Sequence, residues 1–384
     1  MKTHGLIVAA LVAAALPLAP AHAAPQTAAA RRAEREAALG RKTDAGGPSK
    51  DLAGDVTRDK ATDGDQGPGI EYDIFRFNVE LQLKEKRREL MGTLEQMVAI
   101  GGDSAEQPDL LFRLAELNWE ESRYWFFEAN RMEDKALRCE QGGDAACATS
   151  ARTEQQAYLK NRDDFQARAI LRYQELIGKY PDYKRVDEVL FFLGHNYWEA
   201  GKDKEALAAY KALIQRFPKS QFVADAWLAF GEWYFNNSEG KRDMLQKALD
   251  AYTKAAAYPE SRVYGFAVYK QGWCLYNLGD YPGAADKFKA TVFYGELAQN
   301  VANANKTALI REARKDYVLA YSHFGDPTQA KPAFQQVGGE EEWWGMLKGL
   351  AGLYYDTGKD KEAVLVYRQL IREQPLSPEA PLFQ

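Results

Sequence analysis

Apolar residues recur at helical spacing of three and four from Ile70 to the end of the chain, and Gly, Pro and Asp separate the apolar segments. An alternating pattern typical of strands is almost absent from this part of the sequence. The pattern therefore predicts an all-α fold, in which short turns join antiparallel helices.

One set of apolar and small residues occurs twice at the same spacing. Its first copy is Leu190, Leu193, Gly194, Tyr197, Ala206, Tyr210, Leu213 and Pro218, and its second is Leu347, Leu350, Ala351, Tyr354, Ala363, Tyr367, Leu370 and Pro375. Both copies also carry the sequence Gly-Lys-Asp-Lys-Glu-Ala between the two predicted helices. The matching offsets indicate a repeated helix-turn-helix unit, which buries its apolar face by stacking on its neighbours.

This spacing resembles the tetratricopeptide repeat (TPR), a helix-turn-helix unit of about 34 residues. The resemblance implies a TPR solenoid of about six repeats that serves as a surface for binding other proteins. We expect the following segments: a signal peptide at 1–23, a disordered linker at 24–69, a capping helix at 70–107, a first repeat with a long hairpin insertion at 108–186, repeats at 187–223, 224–264 and 265–300, a degenerate repeat at 301–343, a sixth repeat at 344–376 and the start of a further helix at 377–384.

The insertion in the first repeat is itself helical in pattern and predicts two lengthened helices, at about 109–139 and 149–179, that form a projecting αα-hairpin. Cys139 and Cys147 flank its tip, with Gly142, Gly143 and Asp144 between them. In an oxidising compartment we expect these cysteines to form a disulfide, although free thiols or a link to a partner are alternatives. Cys274 has no obvious mate and is expected to be a small buried residue.

The N-terminus has the features of a secretory signal. Lys2 precedes an apolar stretch from Leu6 to Leu18, and the small residues around Ala23 suit cleavage after that residue. The stretch is shorter than the roughly 20 residues of a membrane-spanning helix, and no cysteine near the junction could carry a lipid. We expect a periplasmic protein without a transmembrane segment of its own.

Charge argues against nucleic acid as a partner. Removal of residues 1–23 takes away one lysine and leaves 49 basic residues against 55 acidic ones, with no concentrated basic face in the repeats. The linker is basic in its first part and acidic in its second, which favours a solvated tether over a contact with anionic lipid or cell wall.

No arrangement of residues indicates catalysis, a metal or a cofactor. His195 and His323 are the histidines that remain after signal removal, and neither has metal-ligand spacing with cysteines or carboxylates. Nucleophile-elbow and phosphate-binding motifs are absent. The sequence therefore predicts a scaffold rather than an enzyme.

The TPR resemblance also implies which residues line a protein-binding groove, because the first helix of each repeat faces the concave side. Aromatic side chains prevail at those positions, and aromatic residues anchor many protein interfaces. Packing of the same rings between neighbouring repeats is the alternative. The predicted groove residues are Phe112, Glu116, Trp119, Phe191, His195, Trp198, Glu232, Phe235, Tyr269, Trp273, Tyr276, Lys348 and Tyr355.

A narrower resemblance concerns the exported Ala/Arg-rich N-terminus, the long first repeat and the stretch from Tyr269 to Tyr276. In these features the chain is similar to periplasmic TPR proteins of the myxobacterial adventurous gliding machinery. The resemblance implies a subunit of an envelope-spanning complex, with other envelope proteins as partners. An outer-membrane or cell-wall assembly or division factor is one alternative. Another is the interaction region of a larger exported enzyme. Residues 377–384 read like the opening of another repeat, which indicates a longer chain or a partner at that end.

Overall fold

A computed structural model describes residues 72–101, 105–297 and 304–383. The predicted signal peptide at 1–23 and linker at 24–69 lie outside the described residues. Within them the secondary structure is helical and contains no strand, which confirms the predicted all-α repeat fold. Contacts divide the chain into two compact units, and the boundary lies between Phe222 and Val223. We refer to them as the N-terminal unit and the C-terminal unit.

The N-terminal unit consists of five helices: α1 (Tyr72–Ile100), α2 (Gln107–Gln141), α3 (Ala145–Lys179), α4 (Val186–Glu199) and α5 (Asp203–Arg216). Helix α1 occupies the predicted capping position. Helices α2 and α3 form the long hairpin of the first repeat, and α4 and α5 form the second repeat.

The α2–α3 hairpin is longer than its predicted helices at both sides of the tip. Its two helices pack through small residues, since Ala129, Ala136 and Ala151 are fully buried. Helix α3 begins at an N-cap in which the Asp144 carboxylate accepts a hydrogen bond of 2.9 Å from the backbone N–H of Cys147. Cys139 and Cys147 are joined by a disulfide across this tip.

Helix α1 lies antiparallel to α2. Near the base of the hairpin, Met91 and Leu94 pack against Leu114 and Leu117 in a buried apolar cluster. Farther toward the tip, Lys84 donates a hydrogen bond of 3.3 Å to the hydroxyl of Tyr124. The start of α1 therefore points toward the end of the hairpin that carries the disulfide.

The C-terminal unit continues the helix-turn-helix pattern. Its helices are α6 (Val223–Asn236), α7 (Arg242–Ala255), α8 (Tyr264–Leu278), α9 (Tyr281–Leu297), α10 (Ala304–Phe324), α11 (Ala330–Asp356) and α12 (Asp360–Glu373), with short 3-10 turns at Pro327–Gln329 and Ala380–Phe383. Helices α6 and α7 form the third repeat, and α8 and α9 the fourth. The predicted start of a further helix is the second of these 3-10 turns.

Glycine inside the first helix of a repeat lets an aromatic ring from the second helix approach closely. A Cβ atom on Gly231 would lie 2.5 Å from the ring of Tyr252, and one on Gly272 would lie 2.6 Å from the ring of Phe288. Both rings are fully buried. The glycine and aromatic positions of the sequence repeat are thus two halves of one packing contact.

A Pro-x-Ser sequence forms the turn into the next repeat. Ser220, Ser261 and Ser377 each donate a backbone hydrogen bond to the carbonyl three residues earlier. The hydroxyl oxygen of each serine also accepts a hydrogen bond of 3.3 Å from the backbone N–H two residues later. The turn before α6, the turn before α8 and the turn after α12 therefore have the same local structure.

The fifth and sixth repeats are joined without such a turn. Helix α11 bends at Gly339, whose φ of 62° and ψ of −166° lie outside the helical region. The arm before this corner is the second helix of the fifth repeat, and the arm after it is the first helix of the sixth. The corner lies before the predicted repeat boundary at residue 343.

Candidate protein-binding surface

The predicted groove residues lie on the first helices of the repeats, which we call the A-helix face of each unit. The structure buries several of them: Phe112 is 1% exposed, Trp198 2%, Tyr276 6% and Phe191 8%. Phe191 stacks on Phe222 at a centroid distance of 4.6 Å, within the N-terminal unit. These rings hold the repeats together and are not presented to a ligand.

Trp119 is partly exposed and belongs to a polar cluster between α2 and α4. Its indole nitrogen donates a hydrogen bond of 2.9 Å to Glu199, and Arg123 forms an ion pair of 3.0 Å with the same carboxylate. The imidazole of His195 lies 3.4 Å from Glu199 and edge-on to the Trp119 ring. Burial alone would raise the pKa of Glu199, but His195, Trp119 and Arg123 outweigh it and lower that pKa to about 2.

The guanidinium of Arg123 lies between two aromatic rings. Its central carbon is 5.5 Å from the ring centroid of Trp119 and 5.5 Å from that of Phe127. Phe127 is 56% exposed. The cluster thus combines an ordered arginine with accessible aromatic surface, and these residue types are common at the centres of protein interfaces.

Arginine side chains pair with glutamates on the A-helix face of the N-terminal unit. Glu116 is paired with Arg113 at 3.2 Å, and the carboxylate is the more deeply buried partner, with 14% of its side chain exposed against 36% for the arginine. Burial is the main cause that raises the pKa of Glu116. Arg185, which also pairs with a recessed glutamate, lies 4.0 Å from the ring centroid of Phe112. The exposed layer therefore contains guanidinium groups as well as carboxylates.

Polar pairs also connect neighbouring first helices in the C-terminal unit. Glu232 on α6 accepts a hydrogen bond of 2.7 Å from Tyr252 and pairs with Lys270 of α8 at 3.1 Å. On α8, Tyr269 donates a hydrogen bond of 2.6 Å to Asp316 of α10. Glu232 and Tyr269 were predicted to line the groove, and the structure ties both to adjacent helices.

The other predicted groove residues of this unit retain some exposure. Phe235 and Trp273 are half-buried, and Trp273 packs edge-on against Phe288. Lys348 on the second arm of α11 forms an ion pair of 2.8 Å with Glu379. Tyr355 is 67% exposed, the highest value among the predicted groove residues. Accessible aromatic surface on the A-helix face therefore exists in both units.

Sequence reasoning missed the polar seam that attaches α1 to α2. Arg87 and Arg88 form ion pairs of 2.8 Å and 3.1 Å with Glu121, whose side chain is fully buried. The ammonium group of Lys84 lies 4.6 Å from the ring centroids of Tyr124 and Trp125. The sequence did carry a signal for these contacts: basic residues cluster on α1, and acidic and aromatic residues cluster on the facing segment of α2.

The described residues contain no group of His, Cys, Asp and Glu side chains arranged to hold a metal ion. None of the described helices combines the length and apolarity needed to cross a membrane. The thiol of Cys274 is fully buried, and burial raises its pKa. A buried thiol of this kind is a packing element rather than a nucleophile.

Stacked helix pairs, with a glycine-aromatic contact inside the second, third and fourth repeats, define a helical-repeat protein of the kind that binds other proteins. The tetratricopeptide-repeat family model matches residues 188–220 and 266–292, which are parts of the second and fourth repeats. The match supports tetratricopeptide repeats in these two segments. This result agrees with the register predicted from the sequence.

Three solved structures are similar to this chain at low sequence identity. The crystal structure of MamA protein has 20% identity and a TM-score of 0.32, with 60% of this chain and 94% of that chain covered. The C-terminal part of a TPR repeat-containing protein from Cytophaga hutchinsonii has 16% identity and a TM-score of 0.38, with coverage of 71% and 98%. PilW, described as a type IV pilus biogenesis factor, has 15% identity and a TM-score of 0.33, with coverage of 66% and 97%. A search of curated proteins gave no match.

Proposed function

We propose that this protein is an exported, non-catalytic scaffold that binds other proteins of the cell envelope through the A-helix faces of its repeats. The tetratricopeptide repeats support a role in protein-protein interaction. The observation that carries the proposal is the partly exposed aromatic surface on the first helices, with Trp119 in one unit and Tyr355 in the other. Hydrogen bonds and ion pairs, such as those of Trp119 and Arg123 with Glu199, join neighbouring first helices within a unit. Such ordered side chains lose little entropy on binding.

The proposed compartment is the periplasm, because residues 1–23 have the features of a cleavable signal. Fractionation and N-terminal sequencing test this point. We expect mature protein that begins at Ala24 in the periplasmic fraction. Protein that retains Met1 in the cytosol would contradict export, whatever the protein binds.

The particular complex that we propose is an envelope-spanning gliding motility machine. Support for this choice is the resemblance in the exported N-terminus, the long first repeat and the segment from Tyr269 to Tyr276. Outer-membrane assembly and cell-wall division remain the rival roles for the same binding surface. Recovery of motility components favours the first role, and recovery of wall synthases or barrel-assembly proteins favours the second.

Site-specific photo-crosslinking tests the binding surface directly. A benzophenone amino acid replaces Tyr355 on the A-helix face, and in a matched control it replaces Leu171, which is 62% exposed on the second helix of the first repeat. We expect discrete cross-linked products from the first position in intact cells and none from the control. Equal products from both positions, or none from either, would refute the assignment of this face.

A further inference from the structure

A cationic stripe runs along the exposed side of α12 in the C-terminal unit. Lys361, Arg368 and Arg372 are exposed, and they are separated by seven and four residues. Val364 and Leu365 lie between them on the same side of the helix and are 45% and 44% exposed. Successive helical residues are rotated by about 100°, so these five side chains form one surface.

None of the three cationic side chains forms an ion pair with another described residue. The Nε atom of Arg372 donates a long hydrogen bond of 3.4 Å to the backbone oxygen of Arg368, which leaves its charge uncompensated. Glu373, which follows Arg372, is paired with Lys331 at 2.6 Å, whereas Asp360 and Glu362 flank Lys361 in the sequence. The stripe therefore presents three cationic side chains beside exposed aliphatic surface, with two acidic neighbours at its Lys361 end.

The corresponding positions of two earlier helices in this unit are different. Counted from the buried alanine that begins each pattern, the residues in or just after α7 are Gln246, Leu249, Asp250, Thr253 and Ala257, and those of α9 are Pro282, Ala285, Asp286, Lys289 and Phe293. An aspartate thus stands where α12 has Leu365. The counterparts of Val364 are less accessible, because Leu249 packs on the cluster that contains Cys274 and Ala285 is 2% exposed.

We propose that the cationic stripe of α12 binds an acidic segment of a partner protein, in which carboxylates flank one or two aliphatic residues. Complementary charge brings such a segment to the surface, and contact with Val364 and Leu365 adds apolar burial. This surface is distinct from the A-helix face. If the stripe did not bind such a segment, the proposed function of the A-helix face would be unaffected. If the A-helix face did not bind partners, the proposal for the stripe would be unaffected.

A protein segment fits the stripe better than an anionic membrane does. Helices that lie in the membrane interface insert a broad apolar face with Trp, Phe or Leu into the lipid. The stripe has two short aliphatic side chains and no aromatic one, and the inward side of α12 is occupied by the core residues Val366 and Leu370. The arrangement of three cationic side chains around two aliphatic ones is complementary to a short peptide with carboxylates around one or two aliphatic residues.

The test uses a synthetic helical peptide with glutamates spaced by seven and four residues and two leucines after the first glutamate. We expect binding to the full mature chain at low salt that weakens as salt rises. The variant K361E/R368E/R372E should bind at least about tenfold more weakly, because three favourable pairs become repulsive. A peptide with lysines in place of the glutamates should bind this variant and not the wild type.

The matched control is K204E/K211E/K219E, which makes the same change of charge at three exposed lysines in or beside α5. Circular dichroism confirms that both variants are folded. Equal binding of the acidic peptide to wild type, stripe variant and control would overturn the proposal, as would no binding at low salt. Stripe-dependent binding to vesicles of phosphatidylglycerol and phosphatidylethanolamine, without binding to the peptide, would also overturn it in favour of a membrane contact.

Discussion

The indole nitrogen of Trp119 donates a hydrogen bond of 2.9 Å to the carboxylate of Glu199, which lies 80 residues later in the chain. The bond joins the first helices of the first and second repeats. Arg123 and His195 complete the surroundings of the same carboxylate. A residue that was predicted to touch a ligand therefore also fixes the spacing of two repeats.

Replacement of Glu199 by Gln should make stability less dependent on pH. The pKa of Glu199 is about 2 in the folded protein and about 4.5 in an unfolded chain, so its ionised form stabilises the fold above pH 4.5. This contribution, on the order of 3 kcal/mol, is lost as the pH falls from 4.5 to 2. Urea denaturation across this range should show a difference between wild type and variant that shrinks on acidification. The control E205Q, at an exposed position of α5, should show no such trend.

The disulfide at the hairpin tip predicts a specific count of reactive thiols. After denaturation without reductant, alkylation should add one label, at Cys274, and after reduction it should add three. Three labels without reductant would refute the disulfide. Because the closed loop is short, we expect the variant C139S/C147S to lose less than about 3 kcal/mol of stability.

Gly231→Ala should destabilise the third repeat. The added methyl group would lie 2.5 Å from the ring of Tyr252, which cannot move because it is fully buried. We expect a loss of roughly 1–3 kcal/mol in unfolding free energy by chemical denaturation. Gly349→Ala is the control, because open space surrounds that helical glycine and the change should stabilise by about 0.5–1 kcal/mol. Equal effects of the two substitutions would contradict the close packing.

The corner in α11 predicts intolerance of a side chain at Gly339. Its φ of 62° with ψ of −166° is a region that glycine alone adopts readily, so Gly339→Ala should cost roughly 1–3 kcal/mol. Thermal unfolding should show the loss directly. Gly345→Ala, in the helical arm after the corner and without neighbours within 4 Å, should not be destabilising. A stable G339A variant would indicate that α11 can straighten.

Loss of the Glu121 carboxylate should loosen α1. Glu121→Ala removes the ion-pair partner of Arg87, whose side chain is only 17% exposed. Loss of one partner of a buried ion pair lowers the free energy of unfolding by about 3 kcal/mol or more. Amide hydrogen exchange in α1 should therefore accelerate, while exchange in α10 should stay unchanged. Glu89→Ala removes the exposed pair with Lys86 and should have little effect.

The helices themselves were predictable, because their apolar spacing depends on local sequence. The predicted capping helix and the hairpin appear as α1 and the α2–α3 pair. Exposure on the A-helix face was not predictable in the same way. Whether Trp198 is buried, or Glu116 is covered by Arg113, depends on neighbours from other helices and on side-chain direction. Helical periodicity identifies the face of a residue but not the partner that covers it.

The antiparallel course of α1 has a mechanical consequence. Helix α1 begins at Tyr72, and its start is directed toward the disulfide-closed end of the hairpin. A load applied through the N-terminus along the hairpin axis would slide α1 lengthwise past α2. This is a shear geometry, in which the Glu121 ion pairs and the apolar cluster around Leu94 bear the load at the same time instead of opening one after another.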